Sequence, residues 1–162
     1  MIEAKTVRNF ERWDEVSAET RRAVVAVVNE TAVNIHRDAQ LALSSMNPPA
    51  VDTGGLRGTT VIRIKEAGAV AHIGTVMKHG LYVEYGTAPH FPPVSALVPW
   101  VNRHKGAFGI RGKSAAAEIK SIAFLIARKI SKHGTKARPW LLPAYNRHVK
   151  DIGPRLRRML QG

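Results

Sequence analysis

The chain has 162 residues, of which 44% are hydrophobic and 23% charged, and it contains no cysteine. These values fit one globular domain, and the absence of thiols excludes a disulfide framework, thiolate metal sites and cysteine nucleophiles. The 25 Lys and Arg outnumber the 12 Asp and Glu, and the net charge of +13 predicts an anionic partner, either nucleic acid or an acidic protein surface. No stretch resembles a signal peptide or reaches the roughly 18 apolar residues of a membrane span, so we expect a soluble protein with no membrane partner.

The first predicted element is a long helix from Ser17 to Met46, in which apolar residues recur at steps of three and four. Ser17 is the expected N-cap. The Asn-Pro-Pro sequence at residues 47–49 should end the helix, because proline disfavours helical geometry before it and lacks an amide proton. Residues 1–16 precede the helix as an N-terminal arm.

A β-hairpin is predicted next. A loop at residues 51–55 leads into a strand from Leu56 to Lys65, which is rich in Thr, Val and Ile. Residues 66–68 form a turn, and Ala69 to Val76 form the second, antiparallel strand. The segment Leu81 to Thr87 is too short for periodicity to decide between a strand and one helical turn.

The second half is predicted to be mostly helical. A short helix runs from Ser95 to His104, with Pro99 disturbing its first turn. A helix from Ser114, its expected N-cap, to Lys132 stops at His133-Gly134. A last helix is expected to kink at Gly153-Pro154. The order predicts an α+β fold in one domain, residues 1–162: a long N-terminal helix packed on a small antiparallel β-sheet, with further helices in the C-terminal half.

Enzyme chemistry is not indicated by the motifs. The seven histidines show no HExxH-type spacing, and neither a Gly-x-Ser-x-Gly elbow nor a phosphate-binding loop occurs. Asp52 and Glu84 lie beside turns where a paired-acid hydrolase would place its carboxylates. The alternative is that Asp52 bonds the amides of its own turn and that Glu84 pairs with Arg57 or Arg138. We therefore predict no catalytic residue, no cofactor and no metal.

Positive charge is concentrated in the second half, where Glu118 and Asp151 are the only acids after Glu84. The residues predicted to contact DNA or an acidic partner are Arg147, Lys150, Arg155, Arg157 and Arg158. The ten aromatic residues show no stacking platform for single strands, and no zinc-finger or RNA-recognition signature occurs. One interpretation of the charge is therefore that the chain is a basic nucleic-acid-binding protein, and the other is that its basic surface binds an acidic protein.

Three separated segments carry a recognisable pattern: Val-Asp-Thr-Gly-Gly-Leu-Arg-Gly-Thr at residues 51–59, Tyr-Val-Glu-Tyr-Gly-Thr at 82–87 and Arg-Pro-Trp-Leu-Leu-Pro-Ala at 138–144. Their order and spacing resemble the gene-product-ten-like tail-component family of lambda-like siphophages, to which the minor tail protein Z group is related. Trp140 stands where that family usually has Phe, and residues 91–113 correspond to a loop insertion that only some members of the family have. The motif residues are Asp52, Thr53, Gly54, Leu56, Arg57, Tyr82, Glu84, Gly86, Thr87, Pro139, Trp140, Leu142 and Pro143.

The resemblance implies a structural virion protein of the phage neck, the head–tail connector, and a role in tail completion rather than catalysis. Copies would form a closed ring, a hexamer with a dodecamer as the alternative, assembled in the host cytoplasm. The ring would join the head-closure protein to the tail terminator or tail tube protein, with DNA in its lumen. A cyclic ring needs two different complementary patches on each copy. The long first helix and the basic C-terminal helix are the expected patches.

Overall fold

A computed structural model describes residues 15–46, 52–65, 69–112 and 114–161. Its elements in chain order are α1 (Ala18–Ser45), α2 (Gly55–Gly58), β1 (Thr60–Lys65), β2 (Val70–Thr75), α3 (His79–Tyr85), α4 (Val94–Arg103), α5 (Ala115–His133), α6 (Leu142–Val149) and α7 (Ile152–Gln161). The predicted α+β class is confirmed: a long N-terminal helix, a two-stranded antiparallel sheet and further helices towards the C-terminus.

The chain divides into two compact units. Unit 1 comprises Met1–Glu84 with Arg138–Gly162, and unit 2 comprises Tyr85–Ala137. The expectation of a single domain over residues 1–162 stays a prediction. The expected N-terminal arm falls almost wholly outside the described residues, as does the proline stop at residues 47–49.

Helix α1 organises unit 1. Ser17 caps it as predicted, because its hydroxyl accepts a hydrogen bond from the amide of Thr20 at 3.2 Å. One face of the helix is buried along its length, and it packs against both strands and against α6 and α7. The imidazole Nε2 of His36 lies 3.1 Å from the carbonyl oxygen of Thr60, which joins the helix to the start of the sheet.

The predicted hairpin is confirmed, but its first strand begins later than expected. Residues Gly55–Gly58 form the helical turn α2, and β1 starts at Thr60. The chain turns here because Gly54 adopts a positive φ of 79° and the Thr59 hydroxyl donates back to the carbonyl of Gly55 at 2.8 Å. The antiparallel register then runs from Thr60 opposite Thr75 to Lys65 opposite Val70.

Where one kinked helix was predicted at the C-terminal end, the structure has two helices, α6 and α7. The break lies between α6 and α7, at Lys150 and Asp151, and not at Gly153-Pro154. Pro154 instead lies in the first turn of α7, where its missing amide proton would have no intrahelical partner in any case. The prediction of a proline kink was therefore wrong in position.

Unit 2 is built on the packing of α4 against α5, around a buried cluster of Val101, Ile110, Ile119 and Ala123. The short predicted helix is confirmed as α4, and Pro99 lies inside it without ending it. This helix falls within residues 91–113, the expected loop insertion. Helix α5 also agrees with prediction, although the Ser114 hydroxyl donates to the Glu118 carboxylate and caps no backbone amide. Within the described ranges, no helix combines the length and apolarity needed to cross a membrane.

Candidate functional site

The three motif segments contribute side chains to one region of unit 1. Leu56 from the first motif is buried in the same cluster as Trp140 and Leu141 from the third, and this cluster packs against α1. Glu84 from the second motif is buried against the same third segment. We call this set, Leu56, Gly80, Glu84, Trp140 and Leu141, the motif junction.

Glu84 is the centre of the motif junction. Its side chain is 2% exposed, and its carboxylate accepts hydrogen bonds from three consecutive backbone amides. Oε2 accepts from the amides of Trp140 at 2.8 Å and Leu141 at 2.9 Å, and Oε1 accepts from Leu142 at 2.9 Å. Helix α6 has no side-chain cap of its own, so this remote carboxylate satisfies the amides at its N-terminus.

Gly80 lies where the motif segments come closest, and sequence reasoning missed it. The indole Nε1 of Trp140 donates to the Gly80 carbonyl at 3.2 Å. A Cβ at this position would overlap Cγ2 of Thr75 and lie 3.0 Å from Cδ1 of Leu56. Only a glycine fits there without displacing its neighbours. The sequence signal was slight: a glycine two positions before the second motif, next to the segment Leu81 to Thr87, whose conformation was undecided.

The two carboxylates considered for a paired-acid hydrolase lie in different surroundings. Asp52 is exposed, whereas Glu84 is buried and both of its oxygens already accept amide hydrogen bonds. The expected pairing of Glu84 with Arg57 was wrong, because the Arg57 guanidinium donates to the Ser44 hydroxyl at 3.1 Å. Among the described residues, no group of three His, Asp or Glu is placed to hold a metal ion.

The other motif residues lie around the chain's turns and on its surface. Gly86 has a φ of +72°, and a Cβ there would lie 2.8 Å from the Ala137 amide nitrogen, so glycine is required. Thr87 forms an isolated antiparallel bridge with Thr135, which ties together the two ends of unit 2. The residues that remain exposed or at the surface are Thr53, Tyr82, Pro139, Leu142 and Pro143.

The five predicted basic contacts fall into two groups. Two make ion pairs with α1: Arg147 with Asp38 at 2.9 Å, and Arg155 with Glu30. The other three, Lys150, Arg157 and Arg158, are exposed. Only this second group presents its charge to solvent without a carboxylate of α1 beside it.

Asp38 joins α1 to α6 through two donors. His148 Nε2 lies 2.8 Å from Oδ2 of Asp38, and Arg147 bonds the same oxygen. The hydrogen bond with His148, and after it that with Arg147, lowers the pKa of Asp38 below its ordinary value, although partial burial opposes the shift. The sequence offered no sign of this cluster, because its members are more than a hundred positions apart.

Unit 1 also contains a cavity of about 340 Å³. It is bounded by the hairpin, the start of α3 and the buried residues Trp140 and Leu141 of the motif junction. Four basic side chains contribute to its lining: Arg63, Lys65, His72 and Lys78. These residues come from three different elements, so the sequence alone did not group them.

A comparison with protein-family models, curated proteins and solved structures found no match for this chain. The resemblance to neck proteins therefore rests on the three motifs in the sequence. What the structure adds is their spatial relation: Leu56 of the first motif, Glu84 of the second, and Trp140 and Leu141 of the third are all buried at the motif junction.

Proposed function

We propose that this protein is a structural ring component of the head–tail connector of a tailed bacteriophage. One observation supports the proposal above all: three short motifs, each weak alone, are physically interdependent. Glu84 of the second motif bonds three amides of the third, and Leu56 of the first packs in the cluster that holds Trp140. Unrelated chance matches would not be expected to depend on one another in this way.

A ring component must also present contact surfaces, and exposed side chains of unit 1 are candidates for them. Tyr82, on α3, is 59% exposed and offers a large amphipathic ring of the type enriched at interfaces. On α1, Val33 and Leu41 are exposed, so this helix carries apolar side chains that its own unit does not cover. These are two different surfaces, as a head-to-tail ring requires.

The proposal is tested by measuring assembly. Light scattering after size exclusion should show the protein, alone or with the head-closure and tail-terminator proteins of its phage, in a complex containing an integer number of 17.8 kDa copies. Tyr82→Ser should weaken that complex, whereas Phe124→Ser, at an exposed aromatic of α5, is the matched control and should not. A wild-type protein that binds neither the head-closure nor the tail-terminator protein would refute the proposal, whether or not it associates with itself.

The second candidate is nucleic-acid binding, and one observation favours it. Lys150, Arg157 and Arg158 are exposed on or beside α7, in a chain of net charge +13. Affinity for duplex DNA should then fall linearly with the logarithm of salt concentration, because each neutralised phosphate releases counterions. An absence of binding at low salt would eliminate this candidate. A basic surface facing the lumen of a ring would satisfy both proposals.

A further inference from the structure

The cavity of unit 1 has an apolar interior and a basic rim. By the alternation of β-strand side chains, Arg63 and Lys65 lie on the same face of β1, and the register places His72 opposite Arg63. Lys78 adds a fourth basic group from the segment before α3. Met77 and Leu81 contribute apolar side chains to the walls.

Among the described residues that line the cavity, the one acidic side chain is Glu84, and both of its oxygens accept backbone hydrogen bonds, so it does not pair with the basic groups. A cavity of about 340 Å³ lies within the roughly 300–1,000 Å³ of ligand pockets, and at its small end it suits one or two large side chains. Its chemistry fits an aromatic anchor flanked by carboxylates, since buried apolar area supplies affinity and opposite charges at the rim fix the orientation.

The chain itself contains one segment of this composition. Residues 10–15 read Phe-Glu-Arg-Trp-Asp-Glu and combine two aromatic residues with three of the chain's 12 carboxylates. Elsewhere acids are scattered, and no other six-residue window pairs two aromatics with three acids. With Arg12 as its one base, the segment carries three negative charges and one positive, a net charge of −2 in a protein of net charge +13, and its charge is therefore complementary to a basic pocket.

We propose that this pocket binds the Phe10–Glu15 segment of a second copy of the chain. The inference rests on the proposed ring and specifies one of its contacts. A basic pocket and an acidic aromatic segment are different surfaces, so their pairing runs from each copy to the next, which is the heterologous contact that closes a ring.

A charge exchange tests the contact in the full-length protein. One variant reverses the pocket rim (Arg63→Glu with Lys65→Glu), and the other reverses the segment (Glu11→Lys with Asp14→Lys). In either variant alone, the pocket of one copy and the segment of the next carry charges of the same sign. The self-association measured by sedimentation velocity should therefore be weaker by about tenfold or more. An equimolar mixture should recover wild-type association, because every contact between the two variants pairs opposite charges. Lys129→Glu with Lys132→Glu, at exposed positions of α5, is the matched control and should associate as wild type does.

A second measurement does not depend on ring formation. A fluorescein-labelled peptide of residues 8–17 should bind the wild-type protein, with its affinity reduced by about tenfold or more in the Arg63→Glu, Lys65→Glu variant. A peptide with Ser in place of Phe10 and Trp13 should bind equally weakly to both proteins. Equal binding of the native peptide to both proteins, or to neither, would overturn the inference.

The two proposals can fail separately. Assembly with the neck partners that is insensitive to both charge reversals would overturn the pocket contact and leave the proposed function standing. Recovery of association in the mixture, together with peptide binding but no complex with neck partners, would support the contact and refute the connector role. A mixture that stays dissociated would mean that the segment does not act between copies, and would overturn the inference.

Discussion

Replacing Glu84 by Gln tests whether the motif junction stabilises the protein as its geometry indicates. The side chain keeps its size, but one carboxylate oxygen is replaced by the NH2 group of a carboxamide, which donates hydrogen bonds instead of accepting them. The amide oxygen is expected at the position of Oε2, where it keeps the bonds from Trp140 and Leu141. The amino group then faces the amide of Leu142, and two donors oppose each other where one bond had been.

The expected loss of stability follows from these three contacts. Leu142 is 38% exposed, so water can approach its orphaned amide and the penalty there is at the low end, about 1 kcal/mol. The other two bonds change from charge-assisted to neutral, which costs about 1 kcal/mol each. The free energy of unfolding should therefore fall by about 3 kcal/mol, a large part of the roughly 5–15 kcal/mol typical of folded proteins.

Urea denaturation followed by circular dichroism measures this difference as a lower midpoint with an unchanged slope. Glu30→Gln is the matched control, because the same chemical change removes a surface ion pair with Arg155 and should cost at most about 1 kcal/mol. Glu84→Ala should lose more than Glu84→Gln, since it leaves all three amides without the carboxylate. A Glu84→Gln variant no less stable than Glu30→Gln would refute the account of the motif junction.

Three further outcomes are expected. Gly80→Ala should lower the free energy of unfolding by about 1–3 kcal/mol in urea denaturation, because its methyl group has no space at the motif junction. The lowered pKa of Asp38 means that its contribution to stability is present above the ordinary carboxyl pKa and is lost as pH falls through the lowered folded-state value. Denaturation between about pH 5 and pH 2 should therefore show a steeper loss of stability in wild type than in Asp38→Asn. Replacing Arg157 and Arg158 together by Gln should reduce the salt slope of duplex-DNA binding by roughly 1.8 if both contact phosphate.

Each of these outcomes has a control that could contradict it. Gly153→Ala adds the same methyl group in open space within α7 and should be neutral or stabilising by up to about 1 kcal/mol, so equal losses at both glycines would contradict the steric reasoning. Parallel pH profiles for wild type and Asp38→Asn would show that the Asp38 cluster does not link folding to protonation. An unchanged salt slope would place the DNA contacts away from α7.

Local pattern was enough to predict much of the fold. Apolar steps of three and four located α1 and α5, Ser17 marked the start of the first helix, and Thr, Val and Ile marked the hairpin. These features depend on neighbours within a few residues. For the same reason, local pattern failed where contacts with distant residues determine the conformation. It left residues 81–87 undecided, and it placed Leu56 in a strand, whereas Leu56 lies in a helical turn with its side chain buried.

The α+β class, the placement of positive charge and the order of the three motifs could be predicted from sequence patterns. The contacts that join the motifs appear only in the folded chain. Glu84 meets the amides of residues 140–142 across more than fifty positions, and no local signal says which carboxylate will be buried there. Likewise, the need for glycine at position 80 arises from Thr75 and Leu56, which only folding brings around it. Periodicity records local preference, whereas burial and hydrogen-bond partners depend on how distant segments pack.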